Sequence, residues 1–245
     1  MALRDLTRRL MGKKRSDQVW LSAQRVAWPP DFSPQDVALC RAVETTTMTS
    51  PERIVALAES IRYLTRNQVP GAIVECGVWR GGSMMAAAMT LLEAGDSSRE
   101  LFLFDTFEGM TAPGARDVSM SGEHAAQTAP VGSCESTEAE VAGNLRSTGY
   151  PPERIRLVKG RVEGTVPEQA PRQIALLRLD TDWYESTRHE LLHLYPRLST
   201  GGVLIIDDYG HWSGAKQAVD EYFATLSPRP LLLRIDYTGR CCIKP

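Results

Sequence analysis

The chain has 245 residues, 42% of them hydrophobic and 24% charged, with 19 glycines and 15 prolines, a composition that excludes collagen-like, low-complexity and largely disordered chains. The formal charge is −2, but residues 1–15 hold six basic side chains (Arg4, Arg8, Arg9, Lys13, Lys14, Arg15) against Asp5, leaving 22 basic and 29 acidic residues, a net −7, in the remainder. An acidic body argues against nucleic acid as a partner.

The basic opening segment spaces Leu3, Leu6 and Leu10 as on a helix, a pattern suited to a subunit contact and less well to a membrane surface. Ser50-Pro51-Glu52 starts a helix with a capping hydroxyl, a proline at the first turn and an acid at its positive end. Ala72 to Cys76 is a short apolar run between Pro70-Gly71 and Gly77 and reads as a buried strand, after which Gly81-Gly82-Ser83 opens a helix to about Glu93. The alternation continues with strand Leu101 to Asp105, helix Thr137 to Arg146 with a Thr137/Glu140 capping box, and strand Ile155 to Val158. Strand Ile174 to Asp180, helix Ser186 to Leu198, strand Val203 to Asp207 and a helix carrying Ala215, Ala218, Val219, Tyr222, Phe223 and Leu226 follow. Leu231 to Ile235 and Cys241 to Ile243 then flank Tyr237-Thr238-Gly239 as a hairpin.

This order predicts an α/β fold: a doubly wound, mostly parallel seven-stranded sheet of Rossmann type, with N-terminal helices and a C-terminal antiparallel hairpin. The expected division is an N-terminal helical segment with lid elements over 1–68 and a nucleotide-binding type of domain over 69–245, the whole forming a single compact unit. Residues Gly109 to Glu135, rich in Gly, Ala, Ser, Thr and Pro, have the length of a lid or a disordered tip rather than a connector. Five scattered cysteines without a CxxC pair suggest a reducing compartment. No apolar run approaches the ~18 residues of a membrane span, and residues 1–15 lack the apolar core of a secretory signal, so a cytoplasmic protein is expected.

Ligands of such sheets bind at the carboxyl ends of the strands, near the point where strand order reverses. The first candidate group is Glu75, Gly77 and Ser83 in the loop after the first strand, with Asp105 at the end of the second. Glycines admit an anionic group close to a helix N-terminus, an acid at the strand end suits an ammonium group, and a second acid suits ribose hydroxyls. Together these features fit S-adenosylmethionine. The second group ends two neighbouring strands, Asp180 with Asp182 two residues on, and Asp207-Asp208; the three carboxylates Asp180, Asp207 and Asp208 make an all-oxygen donor set suited to Mg²⁺. A third pattern, His189-Glu190-Leu191-Leu192-His193, matches the HExxH zinc motif, but His193 falls ~10 Å down its helix from the expected site.

Five stretches in order, Thr47-Met-Thr-Ser-Pro-Glu-Arg53, Val74-Glu-Cys-Gly-Val-Trp-Arg-Gly-Gly-Ser83, Phe104-Asp-Thr-Phe-Glu-Gly109, Leu179-Asp-Thr-Asp-Trp-Tyr-Glu-Ser-Thr187 and Gly201-Gly-Val-Leu-Ile-Ile-Asp-Asp-Tyr-Gly-His211, resemble the macrocin O-methyltransferase (TylF-type) family over roughly residues 43 to 225. The resemblance implies a Mg²⁺- and S-adenosylmethionine-dependent enzyme that methylates a sugar hydroxyl of a glycosylated natural product and, together with the basic N-terminal helix, a homodimer or larger assembly; charge and hydropathy leave no nucleic acid or membrane partner expected. The resemblance also implies cofactor contacts from Met48, Thr49, Glu75, Gly77, Trp79, Asp105 and Gly109, metal ligation by Asp180, Asp207 and Asp208, and Asp182 as general base, with His211 second in line for that role. A catechol- or phenol-type Mg²⁺-dependent methyltransferase is the nearest alternative. A zinc hydrolase using His189 and His193, or a non-catalytic scaffold of the same fold, stands further off.

Overall fold

Two periodicities, the all-apolar run and the one-faced helical stripe, alternate along the chain and fold as their spacing predicts. The computed structural model describes residues 28–245; the basic segment Met1 to Arg15 with its leucine spacing lies outside the described residues. The chain divides into two units, Met1–Ser33 and Pro34–Pro245, and all helices and strands of the described residues lie in the second.

The elements are α1 (Pro34–Val43), α2 (Pro51–Arg66), β1 (Ala72–Cys76), α3 (Gly82–Glu93), β2 (Leu101–Asp105), α4 (Ala125–Thr128), α5 (Glu138–Ser147), β3 (Ile155–Lys159), α6 (Val162–Thr165), β4 (Ile174–Leu179), α7 (Tyr184–Leu194), β5 (Leu198–Ile206), α8 (Ser213–Ala224), β6 (Leu233–Arg234) and β7 (Arg240–Ile243). The sheet runs in the order β3-β2-β1-β4-β5-β7-β6. The first five strands pair in parallel, and β7 joins β5 and β6 antiparallel. Strand order reverses between β1 and β4, which opens the ligand crevice at their carboxyl ends.

Local chemistry explains the element starts. Ser50 caps α2 by accepting from the Arg53 N–H at 3.2 Å, and Thr137 caps α5 from Glu140 at 3.1 Å. Strands β1 and β4 are buried at every position, as central parallel strands must be when helices cover both faces. Leu191, Leu194, Val219 and Phe223 of α7 and α8 pack on one face of the sheet against Val74, Leu177 and Leu204.

The boundaries differ most at three elements, the first being the expected strand Leu231 to Ile235, which is ordered as a strand only over Leu233–Arg234. The helix expected to reach Leu198 begins earlier, at Tyr184, and gives way to a 3₁₀ turn at Tyr195–Arg197, where Pro196 cannot continue the α-helical ladder. Strand β5 starts at Leu198, opposite Ile174, well before Val203. The lid stretch is partly ordered: it contains α4 and bridges from Val118 to His124 and from Ser119 to Trp212.

Candidate active site

Acids cluster at the strand ends that border the crevice: β2 ends in Asp105, β4 and β5 are followed by Asp180 and Asp207, and β1 carries Glu75 one residue before its end. Gly77, at φ 82°, leaves β1 where an added Cβ would fall 1.9 Å from the Asp180 carbonyl oxygen. Only glycine lets the β1 and β4 loops approach this closely, and the Asp180 N–H donates to the Cys76 carbonyl at 2.8 Å. Three non-glycine residues adopt left-handed backbone just past strand ends: Trp79 after β1, Phe107 after β2 and Asp182 after β4. Such strain concentrates where function constrains a loop.

Asp105 clamps the first of these loops. Its carboxylate accepts from the Val78 and Trp79 N–H groups at 2.6 and 3.1 Å and from Phe107 at 2.8 Å, while Ser136 donates to the Trp79 carbonyl. Ser83 is buried in the first turn of α3. Gly109, at φ 83°, packs so tightly on Gly132 that a Cβ would meet its carbonyl at 2.5 Å, joining the two ends of the lid stretch.

Beneath the loops lies a charge network that crosses the sheet. Arg178, 2% exposed in β4, donates through Nη1 to Glu75 Oε1 at 2.7 Å and to Asp180 Oδ2 at 2.5 Å, and through Nη2 to Thr49 Oγ1 at 2.8 Å and to Asp207. Arg53 pairs with Asp207 and, at 3.0 Å, with Asp236 in the β6–β7 turn. Thr49 thus joins the Arg178–Asp207 pair, and the preceding Met48 is 51% exposed. Ligand atoms of Asp180, Asp207 and Asp208 lie within 4.8 Å of one another.

The electrostatics follow from burial and crowding. Burial pushes Glu75 up to about 8, against the opposing pull of Arg178, and its Oε2 is buried without a hydrogen-bond partner. Asp180 is also raised by burial, although 29% of its side chain stays exposed and keeps it wetter than Glu75. Asp208 is held well above the usual carboxylate range by burial and then by Asp182, Asp180 and Asp207. Burial raises Asp182 to about 6, moderated by its hydrogen bonds with Asp208 and Trp212. The Trp212 indole N–H donates to Asp182 Oδ1 at 2.9 Å.

His211 lies at the rim of this cluster. Its Nδ1 is 3.4 Å from the Tyr237 hydroxyl, and burial followed by the charge of Arg53 depresses its pKa.

The chain matches the family model described as macrocin O-methyltransferase (TylF) over residues 14–242. The chain belongs to this family. It is an S-adenosylmethionine-dependent O-methyltransferase. Curated relatives include 8-demethyl-8-(2,3-dimethoxy-alpha-L-rhamnosyl)-tetracenomycin-C 4'-O-methyltransferase of Streptomyces olivaceus, 32% identical over 86% of this chain and 80% of the relative. Demethyldecarbamoylnovobiocin O-methyltransferase of Streptomyces niveus is 34% identical over 79% and 73%. Among solved structures, the O-methyltransferase NovP superposes with a TM-score of 0.71 at 32% identity, covering 81% of this chain and 82% of that one.

The HExxH pattern has another explanation. His189 and His193 pack with their rings tilted at 51° and centroids 4.4 Å apart, and His189 Nε2 meets the Val166 carbonyl at 2.9 Å. Glu190 turns away into the core, wholly buried, and accepts from the Thr181 hydroxyl at 2.9 Å. Among the described residues, the side chains that converge as a metal-ligating group are the three aspartates. His193→Ala is therefore expected to leave kcat within about twofold of wild type, with elemental analysis finding no zinc lost.

Sequence reasoning missed Arg53, Arg178, Trp212 and Asp236. Arg178 carried a signal, a lone charge inside the apolar run Ile174 to Leu179. The others become functional only through partners 30 to 183 positions away.

Proposed function

We propose that this methyltransferase acts on a sugar hydroxyl of a glycosylated natural product, with Mg²⁺ at Asp180, Asp207 and Asp208 and with Asp182 as general base. The observation that carries the proposal is the convergence of three carboxylates beside Asp182 at the β4 and β5 ends, in a chain whose relatives include a methyltransferase named for a rhamnosyl tetracenomycin.

The cofactor residues fit S-adenosylmethionine. Glu75 Oε2, buried and unpartnered, suits the ammonium group, Asp105 suits the ribose hydroxyls, and Gly77, Trp79, Ser83 and Gly109 shape the cradle, with Met48 and Thr49 closing it from the N-terminal side. When bound, the cofactor supplies a sulfonium methyl already activated for transfer. The donor set at the acidic cluster is all oxygen and suits a hard divalent cation, which supplies the charge that lowers the pKa of a hydroxyl. Asp182 takes the hydroxyl proton; its pKa near 6 leaves it mostly ionised at neutral pH, as a base must be. Most of the remaining acceleration comes from holding the acceptor oxygen in line with the methyl group.

Free thiols at all five cysteines support a cytoplasmic site of action. No helix of the described residues is long and apolar enough to cross a membrane. The homodimer or larger assembly of this reading rests on the family resemblance.

The raised carboxylates make a stability test of the cation site. An acid whose folded pKa exceeds its unfolded value, about 4, binds protons more tightly when folded, so the stability it adds is complete below about pH 4 and is lost as pH rises through the folded pKa. For the ligand Asp180 and its neighbour Asp182 that window runs from about 4 to about 7. Metal-free enzyme is expected to lose Tm between about pH 5.5 and pH 8, and Mg²⁺ to raise Tm more at the higher pH, as calorimetry reads directly. Equal Mg²⁺ effects at both pH values would count against the site.

Function is tested by calorimetric titration with S-adenosylmethionine, with and without Mg²⁺, followed by turnover on a glycosylated acceptor. Cofactor binding together with transfer that stops on chelation supports the proposal; full transfer in chelator refutes the metal's role.

A further inference from the structure

A carboxylate acting as base must point at its proton, and Asp182 is poorly constrained by its own backbone. It sits at φ 66° in a four-residue link between β4 and α7, and rotation about its Cβ–Cγ bond is soft. Its carboxylate shares a hydrogen bond with the neighbouring Asp208 carboxyl, itself an unanchored acid of the same cluster, and the Trp212 indole N–H holds Oδ1 at 2.9 Å.

Trp212 itself is firmly placed. Its backbone N–H donates to the Asp208 carbonyl at 3.1 Å, and it opens α8. Its ring is 5% exposed, packs edge to face on Trp183 with centroids 5.3 Å apart, and shares an apolar cluster with Ala125, Ala215, Met110 and Ala129. Met110, Ala125 and Ala129 belong to the lid stretch, which is docked here by further bonds. The Met120 N–H donates to the His211 carbonyl at 2.9 Å, the Ser213 N–H to Val118 at 2.8 Å, and the Trp183 indole to the Thr111 carbonyl at 3.1 Å. Asp117, 1% exposed, accepts from the Tyr184 N–H at 2.8 Å at the start of α7. Two indoles therefore meet at one junction. One donates to the lid, the other to Asp182.

We propose that Trp212 is a positioning residue, whose indole N–H orients the Asp182 carboxylate and makes that orientation depend on docking of residues 110–129. The inference rests on the reading of Asp182 as general base. Lid docking then completes the site by aligning the base as well as by excluding water.

The test pairs Trp212→Phe with Trp183→Phe. Each keeps an aromatic ring in the cluster and removes one N–H, from Asp182 in the first case and from the lid carbonyl in the second. Trp212→Phe is expected to lower kcat by about tenfold to a hundredfold, short of the ~10²- to 10³-fold for a donor aimed at the reacting atoms, with acceptor KM and cofactor Kd within about twofold. Trp183→Phe is expected to lose much less. Equal losses would assign both indoles to lid packing alone, and wild-type kcat in Trp212→Phe would also overturn the proposal. A second readout needs no Trp212 variant: among the five indole N–H resonances of ¹⁵N-tryptophan-labelled enzyme, that of Trp212 should move upfield in Asp182→Ala. An unmoved resonance refutes the contact. The two readings separate because wild-type turnover in Asp182→Asn sinks the base assignment and this inference with it, whereas an inactive Asp182→Asn beside an unimpaired Trp212→Phe sinks this inference alone.

Discussion

Asp182→Asn is expected to lower kcat by about 10²- to 10⁴-fold, the range for removing a positioned general base, while S-adenosylmethionine affinity stays within about twofold. The substitution is nearly isosteric, and the asparagine carbonyl can still accept the Trp212 N–H that now reaches Oδ1 at 2.9 Å. Local geometry is therefore retained, and what disappears is the ability to take a proton. Asp182 makes no contact with Glu75 or Asp105, so cofactor binding is spared. Single-turnover kinetics alongside calorimetry separate the two effects. Normal turnover would move the role to His211 at the rim.

The second large effect is on stability. Among the described residues Arg178 is the one cation shared by Glu75, Asp180 and Asp207, and its planar fork reaches Glu75 and Asp180 through one nitrogen and Thr49 and Asp207 through the other. Breaking a buried ion pair from one side costs about 3–5 kcal/mol, because the partner charge is left unpaired. Arg178→Met is expected to cost at least that much near neutral pH, a fall of roughly 10 °C in Tm for a chain of this size. The loss should shrink as pH falls from about 8, because the orphaned carboxylates, already raised with Arg178 present, take up protons across that range, and thermal melts would show it. Arg178→Lys keeps the charge but lacks the fork, and should fall between the two. A pH-independent loss would mean that packing, and not charge, is what Arg178 provides.

Much of this was legible in the sequence because strand ends are. Apolar runs such as Ala72 to Cys76 and Ile174 to Leu179 mark central parallel strands by composition, and the acids that follow them must then lie at the sheet edge where ligands bind. That logic brought Glu75, Asp105, Asp180, Asp207 and Asp208 into one crevice before any coordinates. It does not say how those charges are balanced. Arg53 meets Asp236 across 183 positions, and no local spacing encodes such a pair. Nor does it show that Asp105 spends hydrogen bonds on Val78, Trp79 and Phe107, since those depend on loop conformations with positive φ at residues that rarely adopt it.

The lid was the least legible part. Its Gly, Ala, Ser, Thr and Pro carry no period, and its order comes from two tryptophans and a buried aspartate outside any regular pattern. The HExxH pattern misleads for a related reason. Spacing places His189 and His193 on one helix face, but the fold turns Glu190 into the core and leaves the histidines outside the crevice.

The most direct measurement of sugar methylation is tandem mass spectrometry of a glycosylated acceptor after incubation with S-adenosylmethionine, with Mg²⁺ or with chelator. A gain of one methyl confined to the sugar fragment, and abolished by chelation, is the predicted result. A methyl on a phenolic aglycone, or equal transfer in chelator, would contradict it.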